Sequence, residues 1–219
     1  MKKKLYTINT VNNFMDIIFR PFGEPFQEKM SDLEIYNIMD DSLLKETLAN
    51  GGVTANVCSR MLNYALAAQN SGADGILTTC TSVNEATKHI KKFLRIPVMN
   101  IEEPVAQMAV EYGKKIGILA TLPTSPAAIG RVILEKAEEA GKEVELVNRV
   151  VEGAFDVLCT GDVERHDQMV CEALYQLAEE VDVIAFAQIS MSLVKHDSVN
   201  VPVYKIGTSG FEQIYRMMR

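Results

Sequence analysis

Three short segments recur in the second half of the chain, and this repeat constrains the fold more than any other feature. The three pairs follow one another in the same order and at nearly the same intervals. They are KKKLYTINT (2–10) with KKIGILATL (114–122), GADGILTTCTS (72–82) with EVDVIAFAQIS (180–190), and IPVMNIEEP (96–104) with VPVYKIGTS (201–209). One such pair could arise by chance, but three in register predict two halves of similar structure.

The apolar runs within the repeat indicate the fold class of each half. DGILTT and DVIAFAQ are nearly continuous apolar runs, which is typical of parallel strands covered on both faces. Amphipathic helical patterns separate the runs, so the connections should be right-handed βαβ crossovers. We therefore predict an α/β protein of two pseudo-symmetric α/β/α halves, residues 1–100 with 207–219 and residues 101–206, whose parallel sheets face a central cleft.

Composition excludes several classes of partner. The 219 residues carry 22 basic and 29 acidic side chains, a formal net charge of −7, whereas nucleic acids and anionic membranes require concentrated Lys and Arg. No apolar run approaches the roughly 18 residues that a bilayer-spanning helix needs. We expect a cytoplasmic protein with a small-molecule partner, no nucleic acid and no membrane. We also expect a homo-oligomer, a dimer or larger, because most soluble oligomers are symmetric assemblies of identical chains.

The cysteines show no pattern of a metal site or a disulfide framework. Cys58, Cys80, Cys159 and Cys171 form no CxxC pair, and the histidines lie at no zinc-like spacing from them. Cys58 and Cys171 lie within helical patterns and are expected in the core, and Cys159 is expected in a loop before a helix capped by Asp162. No phosphate-binding glycine motif occurs either. The sequence therefore predicts neither a metal nor a cofactor.

Polar side chains follow the predicted strands at the edge where ligands of parallel sheets bind. The candidate ligand-binding residues all follow strands of the two halves. They are Asn9, Thr10, Thr81 and Ser82 in the first half, and Thr121, Thr124, Gln188 and Ser190 in the second. If the halves face each other, these clusters line one cleft.

Cys80 lies between a strand and a predicted helix. Ser82 and Glu85 match the S-x-x-E capping box, with Ser82 at the N-cap, so the thiol should be close to a helix N-terminus. The positive end of the helix dipole would favour a thiolate, and the unpaired N–H groups could hold a carboxylate. The other interpretation is a buried structural cysteine beside a capped helix. The residues alone leave both open.

Several of these segments resemble motifs of the aspartate/glutamate/hydantoin racemase superfamily. GADGILTTCTS is similar to its first cysteine motif, IGILATLPT to the motif that opens its second half, and VDVIAFAQISM stands where the second cysteine motif is found. The resemblance covers nearly the whole chain. It implies two α/β/α halves with a site between them and no cofactor. It also implies two cysteines acting as acid and base on opposite faces of a carbon next to a carboxylate.

The sequence departs from this pattern at residue 188. The repeat aligns Cys80 with Gln188, whose amide is not an acid or base near neutral pH. One thiol suits a reaction with one proton transfer, as in the arylmalonate decarboxylases of the superfamily. A cysteine nucleophile, as in its maleate isomerases, is another possibility.

We therefore expect a cofactor-independent isomerase, racemase-like, or a lyase acting next to the carboxylate of a small acid, an amino acid or a dicarboxylate. Cys80 would be the proton donor and acceptor or the nucleophile, and Thr81 and Ser82 would hold the carboxylate. Thr121, Thr124 and Asn9 would line the opposite wall, and Gln188 would orient the substrate. The alternatives are an arylmalonate-decarboxylase-like lyase and a catalytically inactive protein that binds small carboxylates.

Overall fold

The computed structural model describes residues 2–218, and the chain divides into two compact units. The first unit comprises Met1–Ile101 with Gly207–Arg219, and the second comprises Glu102–Ile206. Each unit contains one four-stranded sheet in which all strands are parallel. The predicted α/β class with two parallel sheets is therefore confirmed.

The sheet of the first unit has the strand order β2-β1-β3-β4. Its strands are β1 (Lys3–Asn9), β2 (Leu33–Met39), β3 (Gly75–Thr78) and β4 (Val98–Asn100). Strand β3 is buried along its whole length, because it is central in the sheet and helices cover both faces. Strand β2 lies at the edge and is half exposed, with Tyr36 stacked on Tyr6 at 5.1 Å between ring centroids.

Helices of the first unit connect these strands. They are a π-helical segment (Met15–Gly23), α1 (Glu24–Lys29), α2 (Ser42–Ala49), α3 (Ala55–Asn70) and α4 (Asn84–Ile90). Helix α3 begins where the Thr54 hydroxyl accepts a hydrogen bond from the Val57 N–H. It packs on the sheet through Met61, Ala65 and Ala68, which recur at helical spacing and are buried.

The second unit has the same strand order, β6-β5-β7-β8. Its strands are β5 (Lys115–Ala120), β6 (Glu145–Val150), β7 (Val183–Phe186) and β8 (Val203–Tyr204). Its helices are α5 (Glu103–Tyr112), α6 (Ser125–Glu139), α7 (Ala154–Cys159) and α8 (Val163–Ala178). The core forms where Leu174 and Leu177 of α8 pack with Ile184 and Phe186 of β7.

Helix α9 (Thr208–Met217) returns to the first unit. A Cβ built on Gly75 would lie 2.8 Å from the Met218 side chain, and one on Gly210 would lie 2.8 Å from the Ile101 carbonyl oxygen. Glycine at both positions therefore lets α9 approach the backbone of β3 and the end of β4 closely.

Among the strands and α-helices, four elements are not evident in the sequence patterns: β2, α1, α2 and α7. The helices among them have six or eight residues, too few for a clear helical period. Strand β2 is exposed at three of its seven positions, so it lacks the continuous apolar run of the central strands. The predicted position of Cys159 in a loop is also wrong, because this residue ends α7.

Candidate active site

The same backbone hydrogen bonds place Cys80 and Gln188 at equivalent positions of the two units. Thr79 N–H donates to the Ile8 carbonyl at 3.1 Å, and Ala187 N–H donates to the Leu119 carbonyl at 2.9 Å. The residues that follow, Cys80 and Gln188, each precede a 3-10 turn at the carboxyl edge of their own sheet. The sequence repeat predicts the same equivalence.

The loop at Cys80 differs from the predicted capping box. Cys80 has extended backbone, with φ −119° and ψ 112°, and the 3-10 turn Thr81–Val83 follows it. Helix α4 begins only at Asn84, and Val83 rather than Ser82 occupies its N-cap position. Ser82 as N-cap is therefore wrong, because the 3-10 turn delays the helix, and α4 has only seven residues. Thr81 and Ser82 are buried, and Cys80 is half-buried.

Asn9 ends β1, the strand beside β3, and Thr10 follows it. The Asn9 amide is bonded at both ends: its nitrogen donates to Thr7 Oγ1 at 2.8 Å and to the Ile38 carbonyl at 3.1 Å, and its oxygen accepts from the Thr79 hydroxyl at 2.8 Å. Thr10 is 2% exposed, and its Oγ1 has no hydrogen-bond partner within residues 2–218. A buried hydroxyl in that condition is available to a ligand oxygen.

The side-chain oxygen of Gln188 is held by the loop after β5. It accepts from the Thr121 N–H at 2.6 Å, the Leu122 N–H at 3.1 Å and the Thr121 hydroxyl at 3.2 Å. Three donors fix the orientation of the amide, since the reversed orientation would set NH₂ against two N–H groups. Only the Gln188 nitrogen remains to donate to another group.

The other predicted residues of the second unit lie in the same region. Thr124 occupies the N-cap position of α6, and its side chain makes no capping bond. Ser190 is half-buried in the 3-10 turn Ile189–Met191. Ser125 is fully buried at the start of α6, and its Oγ has no partner within the described residues.

The remaining cysteines lie in environments that disfavour the thiolate. Cys58 lies in α3 and Cys171 in α8, as predicted, and both are half-buried. Burial, and then the nearby carboxylates Glu85 and Asp167, raise the pKa of the Cys58 and Cys171 thiols. Burial raises the pKa of Cys159 as well.

One polar network of the first unit was not predicted. Asp40, directly after β2, accepts from the Ser42 N–H at 3.1 Å, the Ser42 hydroxyl at 2.6 Å and the Tyr64 hydroxyl at 2.7 Å, and it pairs with Arg60. Partial burial raises the pKa of Asp40, but the bonds from Ser42, Tyr64 and Arg60 outweigh it and lower the pKa to about 2. Asp40 accepts the first N–H of α2, whereas Asp41, which occupies the N-cap position, makes no side-chain capping bond.

Two further features bear on ligands. Within residues 2–218, no group of three or more His, Cys, Asp or Glu side chains is arranged to hold a metal ion. Across the same residues, no helix has the length and apolarity to cross a membrane.

Comparison with solved structures shows the same fold in racemases. A protein from Yersinia pestis, described as a proposed Asp/Glu racemase, superimposes with a TM-score of 0.74 and 18% identity, covering 98% of each chain. Glutamate racemase from Bacillus anthracis gives 0.72 and 14% identity, covering 98% of this chain and 80% of the other. Aspartate racemase from Picrophilus torridus gives 0.69 and 14% identity, covering 97% and 94%.

Sequence comparisons complete the assignment. No curated protein gives a significant match. The family model described as Asp/Glu/hydantoin racemase matches residues 24–214, which is most of the chain. This protein belongs to the Asp/Glu/hydantoin racemase family.

Proposed function

We propose that this protein is a cofactor-independent enzyme that acts at the carbon next to the carboxylate of a small acid, an amino acid or a dicarboxylate. Cys80 is the reacting group. The observation that carries the proposal is the place of the thiol, which is half-buried and follows the buried strand β3 at the carboxyl edge of its sheet, with Thr79 and Thr81 as its neighbours in the chain. Membership of a racemase family supports a reaction of this type.

The chemistry is a proton transfer at the α-carbon. The Cys80 thiolate takes the α-proton, so that an S–H bond forms as the C–H bond breaks and the electron pair moves into the carboxylate. The resulting enediolate carries more charge on its oxygens than the substrate does, so hydrogen-bond donors lower the barrier. The hydroxyls of Thr10, Thr81 and Ser82 supply donors in the first unit. The S–H group then returns a proton to carbon.

At the strand end equivalent to that of Cys80, the second unit carries Gln188, a hydrogen-bond donor and not a base. We assign the amide nitrogen of Gln188 and the hydroxyls of Thr124 and Ser190 to substrate binding, and Thr121, whose hydroxyl and N–H donate to the Gln188 oxygen, to holding that amide in place. Because the Gln188 oxygen is bonded to the loop after β5, this side chain is a fixed donor and not a proton carrier.

That feature favours a second candidate reaction, a lyase of the decarboxylase type. Loss of carbon dioxide from a malonate-like acid leaves an enediolate without abstraction of a proton, and one S–H group is enough to protonate one face of it. A two-base racemase instead needs an acid and a base on opposite faces.

Proton exchange in D₂O distinguishes these reactions. The probes are L-aspartate, L-glutamate and methylphenylmalonate, followed by NMR and chiral chromatography. Racemisation gives deuterium in both enantiomers, one-base exchange gives deuterium with retained configuration, and the lyase releases carbon dioxide from the malonate. The Gln188→Cys variant places a thiol at the position equivalent to Cys80. We expect it to add enantiomer interconversion to a wild-type protein that shows only exchange.

Alkylation tests the role of Cys80 without knowledge of the natural substrate. Iodoacetate carries a carboxylate next to an electrophilic carbon, and the thiolate displaces iodide as the S–C bond forms. We expect the rate of Cys80 modification, measured by peptide mass spectrometry, to saturate with iodoacetate but to rise linearly with neutral iodoacetamide. Cys58→Ser is the matched control, because it removes a half-buried thiol elsewhere in the unit and should leave these rates unchanged.

Two outcomes count against the proposal. If iodoacetate modifies Cys80 without saturation and no faster than iodoacetamide does, no carboxylate is held beside the thiol. If Cys80→Ala binds the acids as wild type does and wild type turns none of them over, the protein is a small-acid binding protein on a racemase fold.

A further inference from the structure

We infer that a relay of four side chains, Asn37, Thr7, Asn9 and Thr79, holds the Cys80 thiol in its reactive position. The inference rests on the proposed function, because it takes Cys80 as the reacting group. It assigns Asn9 and Thr79 as positioning residues that act through Cys80.

The relay crosses the carboxyl ends of three adjacent strands, β2, β1 and β3. The Thr79 hydroxyl donates to Asn9 Oδ1 at 2.8 Å, Asn9 Nδ2 donates to Thr7 Oγ1 at 2.8 Å, and the Thr7 hydroxyl donates to Asn37 Oδ1 at 2.6 Å. Every donor therefore points in one direction, away from Cys80 and towards the sheet edge. Hydrogen bonds aligned in this way polarise and strengthen one another.

The surroundings leave the relay one arrangement. Asn9 Nδ2 also donates to the Ile38 carbonyl at 3.1 Å, which excludes the reversed amide, because that would place two oxygens together. Thr7, Asn9 and Thr79 are 2%, 1% and 3% exposed, so water does not compete for the two bonds that join them, whereas Asn37 at the outer end of the relay is exposed. Thr79 is thus fixed at its N–H and at its hydroxyl, and Cys80 is the next residue in the chain.

The second unit shows that the fold itself does not require this relay. The strand registers make Ile118 equivalent to Thr7. Thr7 of β1 lies opposite Asn37 of β2. Ile118 of β5 lies opposite Asn148 of β6 in the same way. Two residues further along, Ala120 is equivalent to Asn9, and Ala187 is equivalent to Thr79. At the three positions equivalent to Thr7, Asn9 and Thr79, the second unit therefore has apolar side chains. Among residues 2–218, the polar relay is therefore found in the unit that carries Cys80 and not at the equivalent positions of the other unit.

The test measures two quantities separately: the maximal rate at which bound iodoacetate alkylates Cys80, and the iodoacetate concentration that gives half of that rate. In Thr79→Val the shape is kept and the donor is lost. We expect the maximal rate of Cys80 alkylation by iodoacetate to fall about tenfold or more, since small displacements of reacting atoms carry penalties of this size. The half-saturating concentration should change less than twofold. Asn9→Ala should lower the maximal alkylation rate as Thr79→Val does. Thr79→Ser keeps the hydroxyl and should therefore retain most of the wild-type rate.

Thr47→Val is the matched control for stability. Thr47 is fully buried in the same unit, and its hydroxyl donates to the Leu43 carbonyl at 2.8 Å. It should lose stability as Thr79→Val does while keeping the wild-type alkylation rate. If folded Thr79→Val alkylates at the wild-type maximal rate, the relay inference is wrong.

A second measurement keeps the relay test independent of the proposed function. With ¹³Cβ-labelled cysteine, the Cys80 resonance should be single and sharp in wild type and should broaden or split in Thr79→Val and Asn9→Ala. An unchanged resonance would overturn the inference even if alkylation does not saturate in wild type. Absence of saturation in wild type, with a resonance that splits in the variants, would overturn only the proposed function.

Discussion

The bond between Gln188 and the loop after β5 makes a quantitative prediction about stability. In Gln188→Leu, the Thr121 and Leu122 N–H groups lose their acceptor. A buried donor without a partner costs about 1–3 kcal/mol. Thr121 is 4% exposed and bears the full cost, whereas Leu122 is partly exposed and water can satisfy its N–H.

The leucine side chain offsets part of this loss by about 1 kcal/mol through its additional apolar area. We therefore expect the free energy of unfolding to fall by about 1–2 kcal/mol. Urea titration followed by circular dichroism measures the change, and the m-value should stay constant. Gln188→Glu keeps an acceptor for both N–H groups, so it should retain most of the stability at neutral pH.

Gln107→Leu is the matched control for the second unit. Its amide donates to Glu111 on an exposed helix surface at 2.7 Å, so the variant should lie within about 0.5 kcal/mol of wild type. If Gln188→Leu is as stable as the Gln107→Leu control, the Gln188 oxygen is not the required acceptor. The assignment of Gln188 as a fixed donor would then fail with it.

Two further predictions concern the first unit. Gly210→Ala should lower the free energy of unfolding by about 2 kcal/mol, because its Cβ would lie 2.8 Å from the Ile101 carbonyl oxygen, although alanine normally favours a helix over glycine. Gly52→Ala, with no atom within 4 Å, should be neutral or slightly stabilising, and equal stability of the two variants in thermal melts would refute the packing argument. The Asp40 pKa of about 2 lies below its ordinary 3.8, so its contribution of about 2 kcal/mol is complete above pH 4 and lost between pH 4 and 2. Acid titrations should show that Asp40→Asn is less stable than wild type at pH 6 and that the difference disappears near pH 2.

The central strands could be predicted from the sequence because burial alone determines them. GILT and VIAF are apolar at every or nearly every position, and both strands are fully buried. The repeat also predicts that Cys80 and Gln188 are equivalent, because this prediction requires only the alignment of residues along two similar strands. Peripheral elements were harder, since β2 and α2 depend on contacts such as the capping of α2 by Asp40.

Strand β2, which the sequence pattern does not indicate, explains why the hydrogen bonds of the candidate site could not be predicted. The sequence places Asn9 as a polar residue at a strand end, and this position predicts contact with the substrate. The Asn9 amide bonds Ile38 directly and is linked to Asn37 through Thr7, and both residues belong to β2. Unless that strand is predicted, these partners of the amide cannot be identified. The residue types of a site can thus be predicted while the bonds among them depend on registers that the sequence does not reveal.

Thr10 provides a final prediction, in which stability and binding change in opposite directions. In the second unit, the Gln188 oxygen satisfies the Thr121 hydroxyl, which is equivalent to that of Thr10. The first unit has Cys80 in place of the amide, and the Thr10 hydroxyl is buried without a partner within residues 2–218. Replacing a buried, unsatisfied hydroxyl by a methyl group removes a desolvation cost of about 1 kcal/mol.

Thr10→Val should therefore be more stable than wild type in urea titration, while the half-saturating concentration of iodoacetate should rise about tenfold as one carboxylate bond is lost. Thr47→Val, which breaks an existing bond, should change stability in the other direction and leave iodoacetate binding unaltered. If Thr10→Val is destabilised and binds iodoacetate normally, the Thr10 hydroxyl is a structural group. Gain of stability with loss of binding would instead mark it as a group whose partner is the substrate.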